Sequence, residues 1–114
     1  MRNMLLKSEK EIIETSINTS KENLDRPFLL EQLKNLKVKK RQYTGVGFYT
    51  EFTLDNPNKY YIENYNFIIG STAEVFGIKY GADFVIYIKN GLIDLLEGVT
   101  FGEKWPKTFR IKSY

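Results

Sequence analysis

The chain has 114 residues and a mass of 13.4 kDa, and it is 42% hydrophobic, 27% charged and 15% aromatic. These values are typical of one small globular domain and exclude wholesale disorder. The net charge is +3 and the chain has no Cys and no His, which excludes disulfides, Cys/His zinc sites and nucleophiles activated by His.

The first third of the chain has a helical pattern. We predict a first helix over about residues 5–18, in which Leu5, Ile12, Ile13 and Ile17 form an apolar stripe. We predict a second helix over about residues 26–36, because Asp25 is a favoured N-cap and Pro27 fits the first turn.

Aromatic residues and glycines dominate the rest. All eight glycines and all but one of the Phe and Tyr residues follow residue 42, a composition that favours strands and turns. Helices followed by strands predict an α+β fold in a single domain over residues 1–114. The expected architecture is two N-terminal helices packed on a mainly antiparallel sheet of about five strands, lying between about residues 41 and 113.

Four strand regions are expected. Alternation predicts one long strand over residues 41–54, with Tyr43, Gly45, Gly47 and Tyr49 on the same face. Residues 60–69 and 73–78 resemble further strand, interrupted at Gly70-Ser71-Thr72. Residues 83–89 and 92–97 flank Asn90-Gly91, the strongest two-residue hairpin signal. A last strand is expected over residues 108–112.

The hairpin has two apolar faces. Its turn predicts that Tyr87 lies opposite Asp94 and Ile86 opposite Leu95. Apolar residues on both faces indicate a central position in the sheet, with material on each side. The two helices cover one face, which leaves the other for a partner, a ligand or a second copy of the chain.

Basic residues cluster after the second helix. Lys34 is followed by Lys37, Lys39, Lys40 and Arg41, and such a patch suits the phosphate backbone of nucleic acid. Two structural interpretations compete with that one. Cations stabilise a helix C-terminus, and lysines protect the edge strand of a sheet.

Two glycines and a few aromatic residues are the other candidates for a site. Gly45 and Gly47 let a ligand or a neighbouring backbone approach closely. Tyr and Trp are favoured anchors at protein interfaces, so the candidate partner-binding residues are Tyr43, Tyr49, Tyr87, Asp94 and Trp105. For Trp105 the alternative is that it plugs one end of the core.

Catalysis is not expected. The acidic residues of the strand-rich part follow neither a calcium-loop spacing nor a Glu-x-x-His motif. We therefore expect a non-enzymatic protein with no metal ion and no cofactor. No apolar run approaches the roughly 20 residues of a membrane span, and Glu9 and Glu11 follow the N-terminus too closely for a signal peptide. These features predict a cytoplasmic protein without membrane contact.

Three segments resemble a set of small uncharacterised bacterial proteins. They are Tyr43–Phe48, Gly81–Gly91 and Leu96–Pro106, which resemble the patterns YTGVGF, GxGFVLFIxxG and LEGYTYGExWP. Val99 and Phe101 stand where the pattern has Tyr, and Asp83 replaces a Gly. The resemblance implies a compact bacterial α+β protein, and it brings no established activity.

The leading hypothesis is a bacterial interaction protein that binds a protein partner, in particular an immunity protein that neutralises a toxin. One alternative is a small-ligand module with its site near Gly45 and Gly47. Another is a nucleic-acid binder that uses Lys37, Lys39, Lys40 and Arg41, although no stacking aromatics are interleaved with these cations. A homodimer is a further candidate, because twofold dimers are the commonest assemblies.

Overall fold

The computed structural model describes residues 3–114. It contains the helices α1 (Lys7–Thr19) and α2 (Arg26–Asn35) and six strands. The strands are β1 (Lys37–Tyr43), β2 (Gly47–Thr53), β3 (Phe67–Val75), β4 (Ala82–Lys89), β5 (Leu92–Thr100) and β6 (Ile111–Ser113). They form one antiparallel sheet in the order β1-β2-β5-β4-β3-β6. The expected α+β fold is confirmed, with six strands where about five were expected.

Both helices begin where side chains satisfy free backbone groups. The Glu9 carboxylate accepts a hydrogen bond of 2.7 Å from the Leu6 N–H, reaching back to the start of α1. Asp25 accepts a hydrogen bond of 3.2 Å from the Phe28 N–H, and Pro27 lies in the first turn of α2. The predicted start of the second helix is therefore confirmed.

The two helices pack on one face of the sheet and form a single hydrophobic core with it. Ile12, Ile13 and Ile17 of α1 and Leu29 of α2 are fully buried. The sheet contributes Phe84, Ile86, Ile93 and Leu96 to the same core. Ser16 of α1 hydrogen-bonds Ser71 of β3 over a distance of 2.8 Å, which fixes the position of α1 above that strand.

The start of α1 contacts both edges of the sheet. The Arg41 side chain of β1 donates hydrogen bonds to Glu9, and the Ile111 N–H of β6 donates one to the Ser8 hydroxyl at 3.4 Å. Because β1 and β6 are the two ends of the strand order, the sheet curls around α1.

The prediction of one strand over residues 41–54 was wrong. β1 begins at Lys37, and a turn over residues 44–46 separates it from β2, which folds back beside it. Gly45 has φ +92°, a conformation that side chains disfavour, and the Thr44 N–H donates to the Gly47 carbonyl at 2.9 Å. Gly45 therefore forms the turn, and it does not share a strand face with Gly47.

The predicted interruption at Gly70-Ser71-Thr72 was also wrong. These residues lie inside β3, where they pair with Val85, Phe84 and Asp83 of β4. Strand β3 starts at Phe67, so most of residues 60–66 is loop. The last strand is shorter than residues 108–112: β6 covers Ile111–Ser113 and pairs with Glu74 and Val75.

The hairpin turn at Asn90-Gly91 is confirmed. Both residues have positive φ, 50° and 84°, as a type I′ turn requires. The register beyond the turn differs from the prediction, because a β-bulge shifts the pairing between Tyr87 and Ile88. Tyr87 therefore lies opposite Leu95, and Ile86 opposite Leu96. Leu96 points into the core and is fully buried, whereas Leu95 lies on the other face.

Candidate functional site

One face of the sheet has no helix on it. Among the residues that the strand pairing places there, eight form the surface that we call the open face: Tyr49, Glu51, Ile68, Val85, Tyr87, Leu95, Glu97 and Val99. Their chain neighbours Phe48, Ile69, Ile86 and Leu96 point the opposite way and are buried. The alternation of the strands thus separates the core from this second surface.

Apolar side chains run across the open face. Val85, Tyr87 and Leu95 are half-buried on the central strands β4 and β5. Ile68 on β3 is 66% exposed, and Val99 on β5 is 40% exposed. Ile68, Tyr87 and Leu95 also line a groove of about 840 Å³ near the hairpin end of the sheet. This open face includes bulky apolar groups that folding alone does not cover.

Acidic side chains border this apolar surface. Glu51 and Glu97 are on the open face itself, Asp83 lies opposite Val99, and Asp94 occupies the bulge beside Leu95. None of the four carboxylates forms an ion pair within residues 3–114. On this side of the same strands and of β1, the register places Lys37 opposite Thr53, Lys40 opposite Glu51, and Lys89, and Lys37 forms an ion pair with Asp55. This side of the sheet is therefore acidic, although the chain carries a net charge of +3.

Tyr49 and Tyr87 are placed differently for hydrogen bonding. The Tyr49 hydroxyl donates to Gln42 on β1 at 2.6 Å, which holds its ring against the sheet. For Tyr87 the side-chain hydrogen bonds within residues 3–114 include none to the hydroxyl. Both rings are half-buried, and two strands, β2 and β4, carry them on either side of β5.

Asp94 was expected directly opposite Tyr87, and the bulge corrects this. Leu95 takes the opposing position, and Asp94 is exposed. Asp94 still lines the groove with Tyr87 and Leu95. Because of the bulge, the Asp94 carboxylate lies at the edge of this apolar groove and not directly opposite Tyr87.

Two other candidate anchors lie away from the open face. Trp105 is 6% exposed, and its ring lies 5.0 Å from Phe48 and 5.2 Å from Phe109 between centroids. This position fits the alternative in which Trp105 plugs the end of the core. Tyr43 is 58% exposed but lies opposite Phe48 on the helix side of β1. The structure brings neither residue together with Tyr49 and Tyr87.

The two glycines do not define a ligand site. A Cβ atom added to Gly47 would lie 2.0 Å from the Gly98 carbonyl oxygen of β5, so the close approach at Gly47 is made by the neighbouring strand. Gly45 is exposed in the β1–β2 turn with nothing within 4 Å of an added Cβ.

Half of the predicted basic patch is engaged in ion pairs. Arg41 contacts the buried Glu9, and Lys37 contacts Asp55 at 2.7 Å. Lys39 and Lys40 are exposed on β1, an edge strand of the sheet. This arrangement fits the interpretation of these lysines as protection of an edge.

A second lysine cluster was not foreseen. Lys10, Lys34, Lys37 and Lys59 come from different parts of the chain and line one groove of about 470 Å³. Asp55 also lines this groove and pairs with Lys37. The groove lies at the C-terminus of α2, where the helix dipole favours cations, so the lysines have a structural reason to gather there.

No protein-family model, no curated protein and no solved structure matches the chain. The resemblance to small bacterial proteins therefore stays a prediction. Neither helix in the described part of the chain has the length or apolar character needed to cross a membrane. Within residues 3–114, no three acidic side chains lie close enough together to hold a metal ion.

Proposed function

We propose that the protein is a non-enzymatic interaction protein whose open face binds a basic surface on a partner protein. The observation that carries this proposal is the combination of Val85, Tyr87 and Leu95 with carboxylates that have no ion pair in the described chain. Apolar centres with polar rims are typical of protein interfaces.

The tyrosines supply the anchors in this proposal. Tyr and Trp contribute disproportionately to binding free energy because their rings bury a large area and their polar ends still hydrogen-bond. Tyr87 lies on the inner strand β4, and the Tyr49 hydroxyl is held by Gln42 at 2.6 Å. A partner that covers the face would bury both rings with little loss of side-chain freedom.

The carboxylates determine the charge of the partner. A basic surface is attracted to Glu51, Glu97 and Asp94, whereas an acidic or neutral surface would bury these charges without compensation. Complementary charge also accelerates association and makes it sensitive to salt. A basic protein surface is therefore the counterpart that suits this face.

An immunity role is the specific form of the proposal. A toxin that acts on nucleic acid needs a cationic substrate surface, because it must bind phosphates. An acidic face with apolar anchors would cover such a surface and block it. The predicted cytoplasmic location and the absence of His and Cys from the sequence agree with an inhibitor that acts by occupation.

Affinity capture from the native cytosol tests the proposal with three matched baits. They are the wild-type protein, the open-face variant Glu97→Lys and the control Glu14→Lys, which makes the same charge change at an exposed position of α1. We expect one stoichiometric basic protein on the wild-type and control baits. Reversal of Glu97 should release it at moderate salt.

Titration of the captured protein then measures the anchors. Replacement of Tyr87 by Ala should weaken binding by about 30-fold or more, the effect expected at a central anchor. Affinities for Tyr87→Ala and Glu97→Lys that stay within twofold of wild type would overturn the proposal. Capture of nucleic acid alone would favour binding through the basic patch of Lys37, Lys39, Lys40 and Arg41.

A further inference from the structure

The two edges of the sheet differ in their protection. At β1, Lys39 and Lys40 are exposed, the pairing with β2 is irregular between Val38 and Lys40, and the Val38 N–H donates to the Asn3 carbonyl at 2.7 Å. Lysines and bulges are common ways to prevent an edge from pairing. At the other end, β6 pairs with β3 only at Glu74 and Val75. Within residues 3–114, the remaining edge of β3 carries no lysine and no bulge over residues 67–73, although Glu22 lines the groove beside Phe67 and Ile68.

The hairpin register shows which backbone groups this edge presents. In a two-residue hairpin the flanking residues, here Lys89 and Leu92, exchange hydrogen bonds with each other. Alternate residues of β4 therefore direct their backbone groups to β3, which places Ile86 and Ile88 in hydrogen-bonded pairs with Ile69 and Phe67. It follows that Ile68, Gly70 and Thr72 direct their N–H and C=O groups away from β4.

Within residues 3–114, the outward backbone groups of Ile68, Gly70 and Thr72 have no hydrogen-bond partner. The Thr72 hydroxyl donates to Asp83 at 2.8 Å, and this side-chain bond does not involve the outward backbone groups. Glu74, the next outward residue, is the one that pairs with Ser113 of β6. Strand β6 thus pairs with the C-terminal end of β3 and leaves the edge of its preceding residues without a neighbouring strand.

The side chains of the open stretch suit pairing with an identical strand. Residues 67–73 read Phe-Ile-Ile-Gly-Ser-Thr-Ala and contain no charge and no Pro. Ile68 is 66% exposed at this edge, and Gly70 beside it has no side chain. In an antiparallel pair of two such strands centred on Ile69, each Ile68 lies opposite Gly70 of the other copy. Ile68 of each copy then packs over Gly70 of the other copy, so the same contact forms two times in the dimer.

We propose that a second copy of the chain binds at this edge, with residues 67–71 of the two β3 strands paired antiparallel about a twofold axis at Ile69. The result is one continuous twelve-stranded sheet. Tyr114 lies near Thr72 in a shared depression, which limits the pairing to this short stretch. An interface built on a few residues per copy is small, so the dimer is weak and forms as concentration rises. Of the open-face residues, Ile68 alone takes part in this pairing, and Tyr49, Tyr87 and the carboxylates stay free. This inference does not rest on the proposed function.

Sedimentation velocity tests the inference on the full chain from about 10 µM to about 1 mM. We expect the wild-type mass to rise from that of the monomer towards twice that value. Ile68→Pro removes an outward N–H while keeping the ladder to β4, a position at which an edge strand tolerates Pro. This variant should weaken dimerisation by at least about tenfold. The control Val99→Lys changes the open face and should dimerise like wild type.

Amide hydrogen exchange gives a second measurement that needs no variant. The amide protons of Ile68 and Gly70 should exchange more slowly as concentration rises, while that of Ile69 is protected throughout. A wild-type chain that stays monomeric at about 1 mM would overturn the inference. Loss of the dimer in Val99→Lys but not in Ile68→Pro would also overturn it, because that pattern indicates stacking of two open faces.

Discussion

The partly buried Arg41 and the fully buried Glu9 form a two-pronged ion pair that joins the first strand to the first helix. The Arg41 Nε and Nη2 atoms donate to the two Glu9 carboxylate oxygens at 3.0 and 2.6 Å. Thr50 and the Leu6 N–H complete the contacts of the carboxylate, each at 2.7 Å. Glu9 is 0% exposed, so these donors replace its hydration.

The hydrogen bonds to Glu9 raise the pKa of the Arg41 guanidinium above its ordinary value. A group whose pKa is raised by folding stabilises the folded state at every pH below its ordinary pKa. That contribution is lost only when the pH rises through the raised value. Arg41 therefore adds no pH dependence to the free energy of unfolding near neutral pH.

Removal of one member of this pair should destabilise the protein strongly. Arg41→Ala leaves Glu9 buried without its counter-ion, and we expect the free energy of unfolding to fall by about 3–5 kcal/mol. Urea denaturation followed by circular dichroism measures it. In the double variant Glu9→Leu/Arg41→Leu much of the loss should be recovered, because no charge remains buried. A single variant as stable as the exposed control Glu14→Ala would contradict this account.

The stability of the fold should depend strongly on Gln32 of α2. Its amide donates to the Gly91 carbonyl at 2.8 Å and accepts from the Ile93 N–H at 2.7 Å, and its side chain is fully buried. Gln32→Leu leaves both backbone groups unsatisfied, which should lower the free energy of unfolding by about 2–4 kcal/mol. Thermal and urea denaturation measure the change. The same substitution at the exposed Gln42, which removes only the solvent-exposed hydrogen bond from Tyr49, should alter stability by no more than about 1 kcal/mol.

Substitution of Gly47 should disturb the sheet itself. A Cβ atom there meets the Gly98 carbonyl oxygen at 2.0 Å, so β2 and β5 must move apart. We expect Gly47→Ala to reduce the free energy of unfolding by about 1–3 kcal/mol, while Val46→Ala in the exposed turn has little effect. NMR chemical shifts of β5 should change in the first variant only. Normal stability with unchanged β5 shifts would show that the strands are more loosely spaced.

Trp105 offers a spectroscopic check of the core. It is the single Trp of the chain and is surrounded by Phe48, Phe84 and Phe109. Its fluorescence should be blue-shifted and poorly quenched by acrylamide, and both properties should change on unfolding. Trp105→Ala should lower the free energy of unfolding by about 3–5 kcal/mol. Quenching as efficient as that of free tryptophan would place the ring at the surface.

The sequence predicted correctly those helix starts and turns that depend on a few neighbouring residues. Asp25 with Pro27 located the start of α2, and Asn90-Gly91 located the hairpin turn. The turn at Gly45 was missed because Thr44 and Val46 favour strands and no Asn, Asp or Pro accompanies the glycine. The bulge at Asp94 was missed because an apolar run such as Leu92-Ile93-Asp94-Leu95-Leu96 fits either register.

The open face could be predicted only in part. Val85 and Tyr87 alternate with buried residues along β4, so their shared face followed from the sequence. Tyr49 and Glu51 join them through the pairing of β2 with β5, two strands that are not successive in the chain. Ile68 joins them through β3, whose pairing with β4 the interrupted pattern of residues 60–78 did not reveal. The engagement of Arg41 with Glu9, 32 residues away, likewise depends on tertiary packing. Single-sequence patterns carry no information on such distant contacts.

The contact of α1 with both edges of the sheet has a consequence for the rate of folding. Ser8 and Ile111 are 103 positions apart, and Glu9 and Thr50 are 41 positions apart. The hydrogen bonds of Ser8 and Glu9 to Ile111 and Thr50 thus form only after long stretches of chain have been ordered. Proteins dominated by such distant contacts fold on the scale of milliseconds to seconds, well short of the microseconds that helical bundles reach. We expect the docking of β6 beside Ser8 to be among the last steps on that path.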